Sequence, residues 1–235
     1  KKLFNEAGVS YPDETWDYAR FVREGQKLTK TQNGKVTQFG TWGLNWYWNY
    51  LWAYGANVLN EDGTRCTLDT PQAREALQYL IDLSQKHHIT PRPGEAGEGS
   101  DYQAFMTGKV ATFASGRYMV PMLKDVKDFD WDISVLPHAK ERGPEVQRII
   151  SESGNDVPIL KSVMNSPFFG NPDLRPDEEV YVQALANSRP FPIAMDVQIS
   201  GFISDTISAI NLRQKTVPQG LKELTRQINQ HLAER

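Results

Sequence analysis

One cysteine, Cys66, stands in 235 residues. No intramolecular disulfide can form, so cysteine use does not reveal the compartment. Histidine is scarce too, at four residues. Two of them, His87-His88, close a helical pattern, where an imidazole favours the helix dipole. Neither has a Cys or His at ligand spacing nearby, so no metal site is expected. The chain contains no G-x-S-x-G, no P-loop and no G-x-G-x-x-G, and no cofactor is expected. No apolar run approaches the roughly 18 residues of a membrane-spanning helix. Basic residues are scattered, with no run longer than Lys1-Lys2, and the net charge is −3. This argues against a phosphate-neutralising surface, and no nucleic-acid partner is expected. The opening stretch Lys1 to Gly8 has no apolar core of a secretory leader. It reads as a processed or engineered start.

What is present is an ordinary globular composition, 39 % hydrophobic and 23 % charged. Tyr11-Pro-Asp-Glu-Thr-Trp16 signals a helix start with Thr15 as N-cap. That helix runs to about Lys27 with Trp16, Ala19, Phe21 and Val22 as its buried stripe. After the Asn33-Gly34 turn, Val36 to Thr41 alternates like a strand. Leu44 to Tyr54 is a helix with aromatics on nearly all sides. Asn60 to Thr64 is a tight turn between two short strands. Thr70-Pro71 opens the clearest helix, with Ala73, Ala76, Leu77, Leu80, Ile81 and Leu83 at helical spacing. A helix at 101–107, a stop at Gly108, a strand at 110–114, a helix at 118–124 and a strand at 131–136 follow. This order predicts an α/β fold with a mixed sheet flanked by helices. From Pro144 the pattern becomes helical, with helices at 144–153, 177–187, 199–212 and 218–234. The chain thus divides into an α/β part, 1–143, and a mostly helical part, 144–235, packing on it.

Two constellations carry chemistry. Trp42, Trp46, Trp48 and Trp52 place four of the six tryptophans within eleven residues, with Tyr47, Tyr50 and Tyr54 among them. A buried helix seam accounts for Tyr50 and Trp52. One helix cannot bury every face, however, and Trp and Tyr combine large apolar faces with polar handles. Pyranose rings offer flat C–H faces rimmed by hydroxyls. Aromatic platforms with planar hydrogen-bonding groups match them, and Asn45 and Asn49 supply two such groups. The second constellation, Ser115-Gly-Arg-Tyr118, follows a strand and opens a helix. It reads either as a crevice-lining turn at a strand's carboxyl end or as a plain β-to-α turn with a surface Arg. No carboxylate pair is singled out for catalysis, so no catalytic residue is assigned. A glycan-active enzyme using the same aromatics as platforms is the alternative.

Several segments in order resemble one family. These are Tyr11-Pro-Asp-Glu-Thr-Trp16, Trp48-Asn-Tyr-Leu-Trp-Ala-Tyr-Gly-Ala-Asn57, Asp62-Gly-Thr-Arg-Cys-Thr-Leu-Asp-Thr-Pro71, and Ala104-Phe-Met-Thr-Gly-Lys-Val-Ala-Thr-Phe-Ala-Ser-Gly-Arg-Tyr118. Phe129-Asp-Trp-Asp-Ile133, Leu136-Pro137 and the tail from Pro144 continue the match. The chain resembles the extracellular solute-binding proteins of carbohydrate ABC importers, the group that includes maltodextrin-binding proteins. The resemblance implies a periplasmic-binding-protein type II fold, whose two α/β lobes close around sugar and dock on a membrane permease. It also implies an extracellular or periplasmic location, with a lipoprotein anchor in the full-length form. Trp46 and Asn45 fall where the family places sugar contacts, Tyr118 at a stacking position, and Arg117 within reach of hydroxyls. Trp42 lies at the strand end leading to the cleft, and Trp48 continues the aromatic wall. A further aromatic contact falls at Ser200-Gly-Phe202, displaced onto Phe202.

The resemblance also implies that a lobe is missing. The family's first lobe precedes the segment at Lys1, and its return segment is absent between Lys140 and Pro144. The chain is therefore expected to be the C-terminal lobe, isolated by design with a splice near 140–144. A lone lobe offers half a cleft, weak sugar binding and an exposed aromatic face that favours self-association.

Overall fold

Helix α2 (Tyr18–Leu28) and strand β2 (Lys35–Trp42) meet through two glycines. Gly25 and Gly40 are both buried, and a Cβ on Gly40 would stand 2.8 Å from the Gly25 Cα and carbonyl carbon. Thr29 ties the same joint: its hydroxyl donates to the Gly25 carbonyl at 2.8 Å and accepts from the Gly40 N–H at 3.0 Å. Buried Gln38 donates its Nε2 to the Leu28 carbonyl at 2.6 Å, satisfying an orphan acceptor at the helix end. In this computed structural model the described residues are 1–139 and 196–235, apart from 14, 44–45, 96–98, 117–118, 124–125, 127–128 and 135.

The chain divides into two compact units, Lys1–Gly43 with Ser100–Pro190, and Leu44–Gly99 with Phe191–Arg235. In the first, α1 (Lys2–Ala7) ends on Gly8 in the left-handed conformation. Strand β1 (Lys30–Gln32) pairs antiparallel with β2, and β2 pairs parallel with β3 (Val110–Phe113). The sheet is mixed and ordered β1-β2-β3, and the architecture is α/β. Helix α5 (Asp101–Met106) carries a complete capping box, Ser100 with Gln103, and Gly108 turns the chain into β3 at φ 70°. A four-residue helix, α6 (Val120–Leu123), follows. Phe39, Ala104 and Val110 form a core cluster that Val36, Trp42 and Phe105 complete. With α2 against one face and this cluster on the other, Gln38 to Thr41 are buried on both faces, in place of strict alternation.

In the second unit, α3 (Tyr47–Ala53) packs against α4 (Pro71–Gln85), and α7 (Val197–Asn211) against α8 (Val217–Ala233). Thr70 caps α4 by accepting from the Ala73 N–H, and Pro71 takes the first turn, as the sequence predicts. Buried Val217, Gly220, Leu221, Leu224 and Ile228 recur along α8 at helical spacing.

Four expectations change. Asp17, not Thr15, caps α2, because the Thr15 hydroxyl is taken up by Asp13. The buried stripe of α2 is Tyr18, Phe21, Glu24-Gly25 and Leu28, with Ala19 exposed, because the helix docks through Gly25. The hairpin around Asn60 is one bridge, Leu59 to Cys66, since the Cys66 N–H donates to Asn229 Oδ1 of α8 at 2.7 Å. The described residues of 131–136 form no strand. Trp131 instead buries its indole and donates to the Leu123 carbonyl, and the bridging residue is His138, paired with Asp17. The expected helices at 144–153 and 177–187 lie outside the described residues.

Asp196 caps α7 and also accepts from His231 and Arg235 at the end of α8. The His231 hydrogen bond and the Gln198 N–H hold its carboxyl below the ordinary value of 3.8. A depressed native value means the carboxylate contributes stability above the ordinary range, and that contribution is lost as pH falls through the native value. Asp196→Asn is expected to flatten the acid-side slope of stability against pH, measured by urea titration between about pH 5 and 2. An unchanged slope would remove the clasp from the stability of this unit.

Candidate ligand-binding residues

Trp42 ends β2, opposite Phe113 in the parallel register, and its carbonyl accepts from the Ala114 N–H at 3.2 Å. The ring is half-buried against the Phe39 cluster. Gly43 follows in the left-handed region, at φ 79°. The carboxyl ends of two parallel strands thus lie side by side, an arrangement that suits ligand crevices.

In the second unit, Trp46 stands at the N-cap of α3 without a capping side chain. All six tryptophans lie among the described residues, and Trp46, at 38 % exposure, is the only exposed one. Its helix neighbours pack on one another: Tyr47 and Trp48 at 4.9 Å between centroids, Trp48 and Trp52 at 5.8 Å. Trp52 and Tyr50 are buried, the latter against Tyr79. Asn49 is buried as well and faces the interior. Burial pushes the Tyr47 phenol well above its ordinary value of 10.0, so it remains a neutral hydroxyl. Phe202, on α7, is half-buried with its ring edge-on to His231 at 6.0 Å. The ring thus packs on a residue of α8. Asn45, Arg117 and Tyr118 lie outside the described residues.

The helix α4 stops at Gln85, so His87-His88 lie beyond it. His88 takes a positive φ of 53° and its Nε2 meets Glu95 at 2.7 Å. Among the described residues, no group of three or more His, Cys, Asp or Glu is placed to hold a metal ion. No described helix is long and apolar enough to cross a membrane. Two residues escaped sequence reasoning, Gly43 and Asp101, which meet beside Trp42. A glycine directly after the last aromatic of a strand was the available signal.

The family model of the bacterial extracellular solute-binding protein matches residues 1–163. This chain belongs to that family. Among curated relatives, a binding protein of Brucella abortus is 25 % identical over 143 residues, 58 % of this chain and 34 % of that protein. The arabinooligosaccharide-binding protein of Halalkalibacterium halodurans is 29 % identical over 141 residues, 58 % of this chain and 31 % of its own length. The match spans about a third of each of these curated relatives. An ABC substrate-binding protein of Listeria monocytogenes, solved in complex with cycloalternan, superposes with a TM-score of 0.79 at 20 % identity. That superposition covers 99 % of this chain and 68 % of the other. The fold is therefore that of the solute-binding proteins, α/β with a mixed sheet and a helical C-terminal part.

Proposed function

We propose that this solute-binding chain takes a carbohydrate, an oligosaccharide or disaccharide, as part of the substrate-binding component of an ABC importer. The observation that carries the reading is Trp46. It is a tryptophan left exposed at a helix start while the other α3 aromatics pack together. An exposed indole costs apolar hydration that a sugar's C–H face relieves. The names of the relatives support the class: one binds arabinooligosaccharide, another was solved with cycloalternan.

In this reading Trp42, Trp46 and Trp48 contact the ligand, joined by Asn45, Arg117 and Tyr118. Phe202 is the weakest member, since its ring already engages His231. The ligand is bound and handed on, not transformed, to a permease at the outer face of the membrane. These residues form the second lobe of the fold and supply one side of its cleft. Alone, they bind weakly and self-associate through the uncovered aromatic face.

Isothermal titration with maltooligosaccharides, arabinooligosaccharides and common disaccharides tests this. Saturable heat with at least one glycan, at a Kd weaker than about 10 μM, is expected. Silence across the panel at millimolar glycan would overturn the carbohydrate reading. Submicromolar binding by these residues alone would overturn the one-sided cleft.

A further inference from the structure

Gly43 is buried, and the room its missing side chain would need is already filled. A Cβ there would collide with Asp101 Oδ2, stand 3.0 Å from the Ala114 carbonyl oxygen and 3.4 Å from Asp101 Cγ. The other carboxylate oxygen, Oδ1, accepts the Tyr102 N–H at 2.9 Å, which fixes the side chain's direction. Asp101 is itself placed by the Ser100–Gln103 capping box, and α5 packs along β3. Helix and strand run in opposite senses here, so the start of α5 lies at the carboxyl end of β3. Three pieces of chain therefore converge beside Trp42: the backbone at Gly43, the strand end at Ala114, and the Asp101 carboxylate.

We infer that Asp101 is a positioning residue whose carboxylate occupies the side-chain space of Gly43 and so fixes the backbone that directly follows Trp42. The inference rests on the carbohydrate reading for its functional meaning. Its geometric content stands without it. The backbone at Gly43, in the left-handed region, has little steric restraint of its own. With the carboxylate in place, the Gly43 backbone is confined between Asp101 and the Ala114 carbonyl, directly after the Trp42 that β3 and the Phe39 cluster hold at the sheet's carboxyl edge. Emptying that space gives the Gly43 backbone, and through it the adjoining edge of Trp42, more freedom, and a contact surface that must order on binding loses affinity.

The test uses Asp101→Ala, Asp101→Asn, Gly43→Ala and the Gly43→Ala/Asp101→Ala pair. Three readouts apply: glycan affinity, thermal midpoint, and the Trp42 indole N–H resonance of the ligand-free protein. Asp101→Ala is expected to move the Trp42 resonance and to weaken affinity about tenfold. Asp101→Asn, the same shape without charge, keeps the wild-type resonance and affinity within about threefold. Gly43→Ala lowers the midpoint, and removing the carboxylate in the double variant recovers part of that loss, a non-additivity expected of touching residues. An Asp101→Ala protein with unmoved resonance and affinity would overturn the inference. So would strict additivity of the two midpoints, or an Asp101→Asn protein as impaired as Asp101→Ala. If the wild type binds no glycan, the carbohydrate reading fails, and the resonance and the double-variant cycle still decide the role of Asp101.

Discussion

Gly40→Ala is expected to lower the thermal midpoint by about 10 °C. The added Cβ meets backbone, not side chain: the Gly25 carbonyl group and Cα of helix α2. A flexible side chain could swing aside, whereas a helix backbone must be displaced as a whole. Moving α2 away from β2 would stretch the Thr29 bridge to Gly40 and the Gln38 bond to Leu28. Overpacking of this kind costs about 3 kcal/mol. In a chain of this length each kcal/mol shifts the midpoint by about 2–4 °C. Gly63→Ala is the control. Gly63 sits at φ 72° with nothing within 4 Å of an added Cβ, so its alanine bears conformational strain alone. That strain is about 1–2 kcal/mol, and the two variants separate packing from backbone conformation. Equal midpoints for the two would mean that α2 does not press on β2.

The glycine contact also shows what the sequence made legible and what it hid. Elements written in local chemistry were readable: Thr70-Pro71 announces α4, Gly108 ends α5, and the spacing of Leu221, Leu224 and Ile228 marks α8. Caps were less so, because Thr15 and Asp17 both suit the start of α2. The choice depends on Asp13, which takes up the Thr15 hydroxyl. The strand at 131–136 failed for a related reason. Its alternating residues fit a sheet, but Trp131 finds a better partner in Leu123 and a place in the core. Family membership was legible because several local segments recur in order, each weak alone. The meeting of Gly43 with Asp101 joins residues far apart in the chain, and no local pattern announces such a contact. Aromatic clustering pointed to α3 but could not say which ring faces solvent; that follows from helix phase and from the packing of Tyr47 on Trp48 and of Trp48 on Trp52.

Trp46 and Trp52 convert that phase into an opposed pair of expected results. Trp46→Ala removes a ring that is 38 % exposed, so the thermal midpoint should hold, a change within about 0.5 kcal/mol. Glycan affinity should fall roughly thirtyfold, the loss of an aromatic anchor of about 2 kcal/mol. Trp52→Ala does the reverse. Its ring is 7 % exposed and packs on Trp48, and its removal leaves a cavity. That costs about 3–5 kcal/mol, enough to unfold much of the second unit at moderate temperature. Affinity then declines chiefly with the folded fraction, and in the molecules that remain folded the loss is limited to the support that Trp52 gives Trp48. Calorimetric midpoints and titrations at low temperature, where both proteins are folded, separate the two behaviours. If Trp46→Ala destabilised the protein as much as Trp52→Ala, Trp46 would belong to the core. If it left affinity unchanged, the indole would not be a sugar platform, and the ligand contacts would have to be carried by the other proposed residues.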